Sequence, residues 1–254
     1  MKVGFQTISW GRRLGDGGEQ MLRVIKEAGY KGVELMQHPK EFGSAEQLYS
    51  HLKRFNLKLL GLTGGSILER ADFIGELIEI ETKYLVREDG PMTKIIRFGP
   101  HYPYIYIDTW DERQVLLVGP DLTLALHPHM FKPIQTAQEA EWLLRQYPSL
   151  RFLPDTAHLT IAGANLMELL ENNLPRIIAV HLKDWASEFG RSYQFYSRGF
   201  GVRFGHGDVR LADTIEFLKS HKYNKWVVVE QDVADDPAEA AHLCRNWLRA
   251  NHGL

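Results

Sequence analysis

RFLPDTAHLT, residues 151–160, is a short apolar run that stops abruptly at Asp155, Thr156 and His158. A polar turn would be enough to end a strand. A carboxylate and an imidazole three residues apart at that point are groups that hold something. Whether the other apolar runs end in the same way decides what kind of fold this chain adopts.

The flanking runs are short, uniformly apolar and separated by helical patterns, which is how a parallel sheet covered by helices reads. Residues 2–7, GVEL (32–35) and LKLLGL (57–62) read as the first three strands. Helices follow them over 19–28, from Ser44, and over 71 to about 80. LTLAL (122–126), RFLP (151–154), IIAV (177–180) and WVVVE (226–230) read as the last four strands, with helices from Thr136, near 165–172, over 211–220 and from Asp236. Gly29 closes the first helix, and Ser44 with Gln47 and Thr136 with Glu139 have capping-box spacing. Asp236, Pro237 and Glu239 supply an N-cap, an N1 proline and an N3 acid.

Residues 83–121 contain no amphipathic helix. The fourth strand is placed at 104–108, with 84–87 as the alternative and 83–100 as an insertion. Residues 185–203, WASEFGRSYQFYSRGFGVR, form a long non-periodic segment of the kind that serves as a lid or stays disordered. Eight strand–helix units in 254 residues average about 32 residues each, which suits a (β/α)8 TIM barrel, irregular around strand four. One such domain over 1–254 is the expected organisation.

The composition, 44% hydrophobic and 24% charged, is that of an ordinary globular protein. Lys and Arg number 30 against 32 Asp and Glu, so no basic excess argues for nucleic acid or an anionic membrane. No apolar run approaches the roughly 18 residues of a membrane-spanning helix. MKVGFQTISW (1–10) alternates like a strand and lacks the apolar core of a signal peptide. Cys244, the single cysteine, excludes an intrachain disulfide, suits a reducing compartment and reads as a packed helical thiol. A cytoplasmic protein with no nucleic-acid or membrane partner is expected.

Glu34, Asp108, His127, Asp155, His181 and Glu230 each end or follow one of the apolar runs. In a parallel barrel these ends converge on the C-terminal rim, where active sites lie. His127, Asp155 and His181 are 28 and 26 residues apart, about one unit each, and the 49 residues to Glu230 are one unit plus the 185–203 segment. Two imidazoles and two carboxylates on one rim suit a divalent ion such as Mn²⁺, Co²⁺ or Zn²⁺. Asp155 then reads as a ligand, with His158 just above it. A solvated strand cap is the plain alternative for any one of them; four ligand-type residues on successive rim positions favour a site.

LALHPHMFKPIQT, PDTAHLTIAG, AVHLKDW, GHGDV and WVVVEQD resemble the xylose-isomerase-like barrel superfamily of sugar isomerases and epimerases, and within it the inosose dehydratase branch. The resemblance runs from about residue 122 to the C-terminus, is weaker over 1–62 and fails over 83–121. It implies one divalent metal held by His127, Asp155, His181 and Glu230. The isomerases and epimerases carry a glutamate at the first of these positions. His127 departs from them and matches a dehydratase-like His-x-His, which leaves Glu230 as the one acid/base carboxylate of the usual pair. In a second departure, the branch has Met-Gly-Thr where this chain has Met130-Phe131-Lys132, so substrate contacts are expected to differ there.

The remaining candidates have two readings each. Lys183 can donate to a substrate oxygen and Asp184 can orient His181, or the two form a surface ion pair. Glu34 and His158 are candidate substrate contacts, as is Trp10; with Trp110 and Trp185 it offers an aromatic wall for a sugar ring or ordinary packing. GFGVRFGHGD (199–208) reads as a flexible loop that brings His206 or Asp208 toward the rim. The function expected is a metal-dependent lyase or isomerase acting on a polyol-derived ketone or ketose. His129 or Glu230 would be the base, with Lys183 assisting; elimination makes a dehydratase, and reprotonation an isomerase or epimerase. A DNA-repair enzyme of the apurinic endonuclease type is an alternative, disfavoured because LTGGS at the end of the third run contains no histidine. A non-catalytic barrel that binds sugar or metal is another.

Overall fold

Apolar residues of alternating direction build eight strands among the residues that the structure, a computed structural model, describes: 1–66, 68–77, 103–107 and 123–254. They are β1 Lys2–Gln6, β2 Gly32–Leu35, β3 Lys58–Leu62, β4 Tyr104–Ile107, β5 Thr123–Leu126, β6 Arg151–Phe152, β7 Ala179–Lys183 and β8 Trp226–Glu230. All pair in parallel in the order β6-β5-β4-β3-β2-β1-β8-β7. The two ends of this sheet meet through bridges from Phe152 to Ile177 and from Asp155 to His181. His181 N–H donates to Pro154 O over 2.9 Å, and Thr156 Oγ1 bonds both the amide and the carbonyl of Lys183. The result is a nearly closed (β/α)8 barrel with helices between the strands.

Period-2 alternation divides each strand between two cores. Val3, Phe5, Val33, Leu35, Leu59, Val180, Leu182, Val227 and Val229 face the surrounding helices in the larger apolar cluster. Leu60, Tyr104, Ala125, Leu153, Ala179, Trp226 and Val228 form a second cluster that fills the barrel interior. Bulky Leu60 and Tyr104 fit because Gly4, Gly32 and Gly61 lie beside them: a Cβ on Gly61 would sit 2.4 Å from the Tyr104 ring. Gly61→Ala should therefore cost roughly 1–3 kcal/mol as an overpacked core position, read as a lower urea midpoint at unchanged slope. An unchanged midpoint would mean that Tyr104 swings aside freely.

Local signals set the helix ends. Ser44 with Gln47 and Thr136 with Glu139 form the expected capping boxes on helices Ala45–Phe55 and Ala137–Gln146. Asp236 accepts from the amides of Ala238 and Glu239 at the start of helix Pro237–His252, and Gly29 ends helix Gly18–Ala28 at φ +96. Three expectations need correction. The seventh strand begins at Ala179 and runs through Lys183, so His181 lies inside it and does not end it. A helix Thr156–Ile161 follows Asp155 directly, ahead of the helix expected near 165–172, and it carries His158. The third helix starts ahead of 71, because Ser66 and Glu69 cap the helical stretch 68–77.

The fourth strand stands at Tyr104–Ile107, between β3 and β5. Residues 78–102 and 108–122, with Asp108, Trp110 and the alternative strand at 84–87, lie outside the described residues. The 185–203 segment carries two short 3-10 helices, Ser187–Phe189 and Tyr196–Gly201, and buries Trp185 and Phe200 against the barrel. Cys244 packs inside helix Pro237–His252, where burial pushes its thiol up to about 12. No helix of the described residues is long and apolar enough to cross a membrane.

Candidate metal centre and active site

Inward alternation on β7 and β8 aims His181, Lys183 and Glu230 into the top of the barrel, with His181 level with Val228 and Lys183 beside Glu230 one step above. His127, one residue past β5, is held by its amide on Ile107 O and keeps the same direction. Asp155 leaves β6 as the N-cap of helix Thr156–Ile161; its Oδ1 accepts from the His158 amide over 2.8 Å. That cap fixes the rotamer and turns Oδ2 toward His127 Nε2 at 3.5 Å and His181 Nδ1 at 3.9 Å. Glu230 Oε2 lies 2.6 Å from His181 Nδ1. One ligand-type atom from each of His127, Asp155, His181 and Glu230 lies within 4.8 Å of the others, and all four residues are buried.

The electrostatics of this cluster suit a cation. Asp155 Oδ2 and Glu230 Oε2 face His127 Nε2 and His181 Nδ1, and carboxylates buried this deeply are costly unless positive charge, on the imidazoles or a bound ion, offsets them. His181 Nε2 lies 3.0 Å from Glu34 Oε2, and Tyr104 donates its hydroxyl to the same oxygen. With the Nε2 proton given to Glu34, loss of the Nδ1 proton would turn a lone pair toward Asp155 and Glu230, as a metal ligand requires. Burial disfavours a His181 cation, but Glu34 and Glu230 on either side reverse this and raise its pKa well above the ordinary imidazole value. The donor set, two imidazole nitrogens and two carboxylate oxygens, fits a divalent ion of the Mn²⁺, Co²⁺ or Zn²⁺ kind.

Lys183 is buried beside the cluster. Its Nζ lies 2.8 Å from Glu230 Oε1, 2.8 Å from Asp232 Oδ2 and 3.4 Å from His158 Nε2, and 4.2 Å from the centre of the Phe200 ring. Burial opposes its charge, yet Asp232 and Glu230 outweigh that and hold it firmly as an ammonium. Burial raises the Asp232 carboxyl to about 7, with Lys183 pulling against it. Burial and the His127 ring lower His129 to about 4, so it is neutral at pH 7. Its Nδ1 meets Met130 O at 2.8 Å, and its ring lies 3.8 Å from that of His158. Burial likewise keeps His158 neutral, against the pull of Asp155.

Other sequence candidates lie elsewhere or act differently. Asp184 does not touch His181; it leaves the strand and accepts the amides of Trp185, Gly205, Gly207 and Val209, which pins the 205–209 turn. Asp208 stays at the surface and caps Ser187, and His206 is exposed, so neither reaches the cluster. Lys183 and Asp184 form no surface ion pair. Trp10 is half-buried and packs edge-on to Phe5, with ring centres 5.7 Å apart. Trp185 is buried, with its indole N–H on Tyr196 O. Sequence reasoning missed Asp232 and Tyr104. Asp232 had a signal, a second acid two residues after Glu230 and so on the same face if the strand direction continues. Tyr104 had none, because nothing local marks it as the partner of Glu34.

An eight-stranded parallel barrel with its ligand-type residues gathered at the C-terminal rim defines the class, and residues 111–251 match the family described as xylose isomerase-like TIM barrel, to which the chain belongs. Among curated relatives, an inosose dehydratase of Lactiplantibacillus plantarum is 26% identical over 269 aligned residues, covering 91% of this chain and 87% of the relative. Many solved structures share the fold, among them the following three. A probable 3-DHS dehydratase of Bacillus anthracis superposes with a TM-score of 0.68 at 15% identity, over 99% of this chain and 100% of its own. A 3-keto-D-glucoside 4-epimerase of E. coli gives 0.64 at 19%, over 98% and 99%. An IOLI protein with a bound zinc atom gives 0.65 at 15%, over 98% and 97%. The chain is an enzyme of this dehydratase or isomerase/epimerase class.

Proposed function

We propose that the chain is a metal-dependent lyase that removes water from a cyclic polyol ketone, an inosose-dehydratase-like elimination. The observation that carries this reading is the ligand set itself, two imidazoles and two carboxylates with Glu230 tied to Lys183; by the family resemblance, His127 takes the place of an epimerase's second carboxylate. Two-face proton transfer on a ketose lacks its second partner here, whereas elimination needs one base and one acid.

His127, Asp155, His181 and Glu230 would hold the metal, and Glu34 with Tyr104 would orient His181 from behind. When bound, the ion would polarise the substrate ketone and acidify the adjacent C–H. His129, neutral and with Nδ1 engaged by Met130 O, has Nε2 available in the tautomer that accepts this α-proton. As the C=C bond forms, the β C–O bond breaks, and the Lys183 ammonium gives the departing hydroxyl its proton so that it leaves as water. Asp232 and Glu230 hold that ammonium in place. Glu34 and His158 remain candidate substrate contacts; Glu34 is better supported as the carboxylate that positions His181. The ligand is thus a small sugar or polyol ketone, with no nucleic acid or membrane partner in this reading.

The test is incubation of the protein, supplemented with Mn²⁺, Co²⁺ or Zn²⁺, with an inosose and separately with a free ketohexose. Dehydration of the inosose, seen as ultraviolet absorbance of the conjugated product, is expected, with slow or no epimerisation at C3 of the ketose. Efficient epimerisation without dehydration would reject the assignment.

A further inference from the structure

The Met130-Phe131-Lys132 departure acquires a geometry in the structure. Phe131 sits in the left-handed region at φ +61, a conformation that a bulky side chain rarely adopts and that persists only where its surroundings impose it. Its amide is held by Gln135 Oε1 at 3.0 Å. Its ring meets two rings of the 185–203 segment, Tyr193 at 5.2 Å and Tyr196 at 5.0 Å between centres. From Tyr196 the aromatic contacts run inward to Phe200 at 5.7 Å and from Phe200 to His158 at 5.3 Å. Phe200 also lies 4.2 Å from Lys183 Nζ, so this line of rings ends beside the ligand cluster. Phe131 and Tyr193 are nonetheless 43% and 74% exposed, an unusual setting for rings that pack only for stability.

We infer that Phe131 and Tyr196, from the loops after β5 and β7, form an aromatic wall across the mouth of the site and select a ring-shaped polyol over an open-chain one. A six-membered carbocycle with equatorial hydroxyls presents a flat C–H face that lies against such rings, while its polar edge stays free for the buried groups below. An acyclic chain with the same hydroxyls has no such face and loses more conformational freedom on binding. The left-handed Phe131 backbone is what turns the ring over the mouth, where a glycine would leave it open. This deepens the proposed function and rests on it.

Calorimetric binding of myo-inositol and of mannitol to the metal-loaded protein tests it, since neither polyol carries the ketone that elimination requires. Wild type should prefer the ring. Phe131→Gly and Tyr196→Leu should each weaken myo-inositol binding about 5–10-fold, leave mannitol unchanged and keep the metal. Phe131→Gly relieves a left-handed backbone and should melt no lower than wild type, so a loss of binding would not report unfolding. The Trp185 bond to Tyr196 uses the backbone carbonyl and survives Tyr196→Leu. Unchanged ring preference in both variants would overturn the aromatic wall and leave the lyase reading standing. A metal-loaded wild type that binds neither polyol but dehydrates an inosose would also overturn the wall alone; one that does neither would overturn both.

Discussion

Asp155→Asn should lose nearly all bound metal and still fold. Asn keeps an oxygen for the His158 amide, so the N-cap of helix Thr156–Ile161 survives, while the charged oxygen aimed at His127 and His181 is gone. Disturbing a group that merely orients a ligand typically costs about 10–100-fold in metal affinity, and removal of a ligand should exceed that range. Asp155→Ala should lose the metal too and also the cap, for a further ~1 kcal/mol of stability. Metal content after gel filtration, read beside thermal melts, checks both halves. About one ion per wild-type chain is expected from the one four-residue cluster among the described residues. Full occupancy in Asp155→Asn would remove Asp155 from the ligand set, and three ions per chain would turn the reading toward the apurinic endonuclease alternative, for which the resemblance implies a three-zinc site.

Lys183→Met should separate chemistry from metal binding. The substitution keeps most of the apolar stem and deletes the ammonium that faces Glu230, Asp232 and the Phe200 ring. No ligand-type atom of the cluster belongs to Lys183, so metal content should remain near the wild-type level. Loss of the proposed general acid should lower turnover of an inosose by roughly 10²–10⁴-fold, the usual contribution of one positioned proton donor. Two buried carboxylates then share a site with one cation fewer, so a lower melting temperature is also expected. Steady-state rates on metal-matched samples are the measurement. Near-normal turnover would reassign the proton donor and leave Lys183 as a structural counter-charge.

The architecture was legible because its signals are local. Apolar runs of strand length, helical spacing between them and side-chain caps three residues from their partners act within one element, whatever the rest of the chain does. That is why Ser44, Thr136 and Asp236 start helices where expected, and why the fourth strand appears at Tyr104 despite an uninformative neighbourhood. His127, Asp155, His181 and Glu230 were legible by the same logic, as ligand-type residues recurring about once per strand–helix unit.

Direction and pairing were not. Asp184 follows Lys183 in sequence, but alternation ends with β7 at Lys183, and Asp184 turns away to pin the 205–209 turn. The residue that orients His181 is Glu34, 147 positions away, held in turn by Tyr104. Lys183 was expected to donate to a substrate oxygen, but its burial between Glu230 and Asp232 had no local signal. By itself, then, the sequence determined the strands, the caps and the residue types at the rim, because each depends on neighbours a few positions apart. Only closure of the barrel decided which of those groups face each other, because its inner face joins strands that the chain order keeps far apart, and burial there sets their charges.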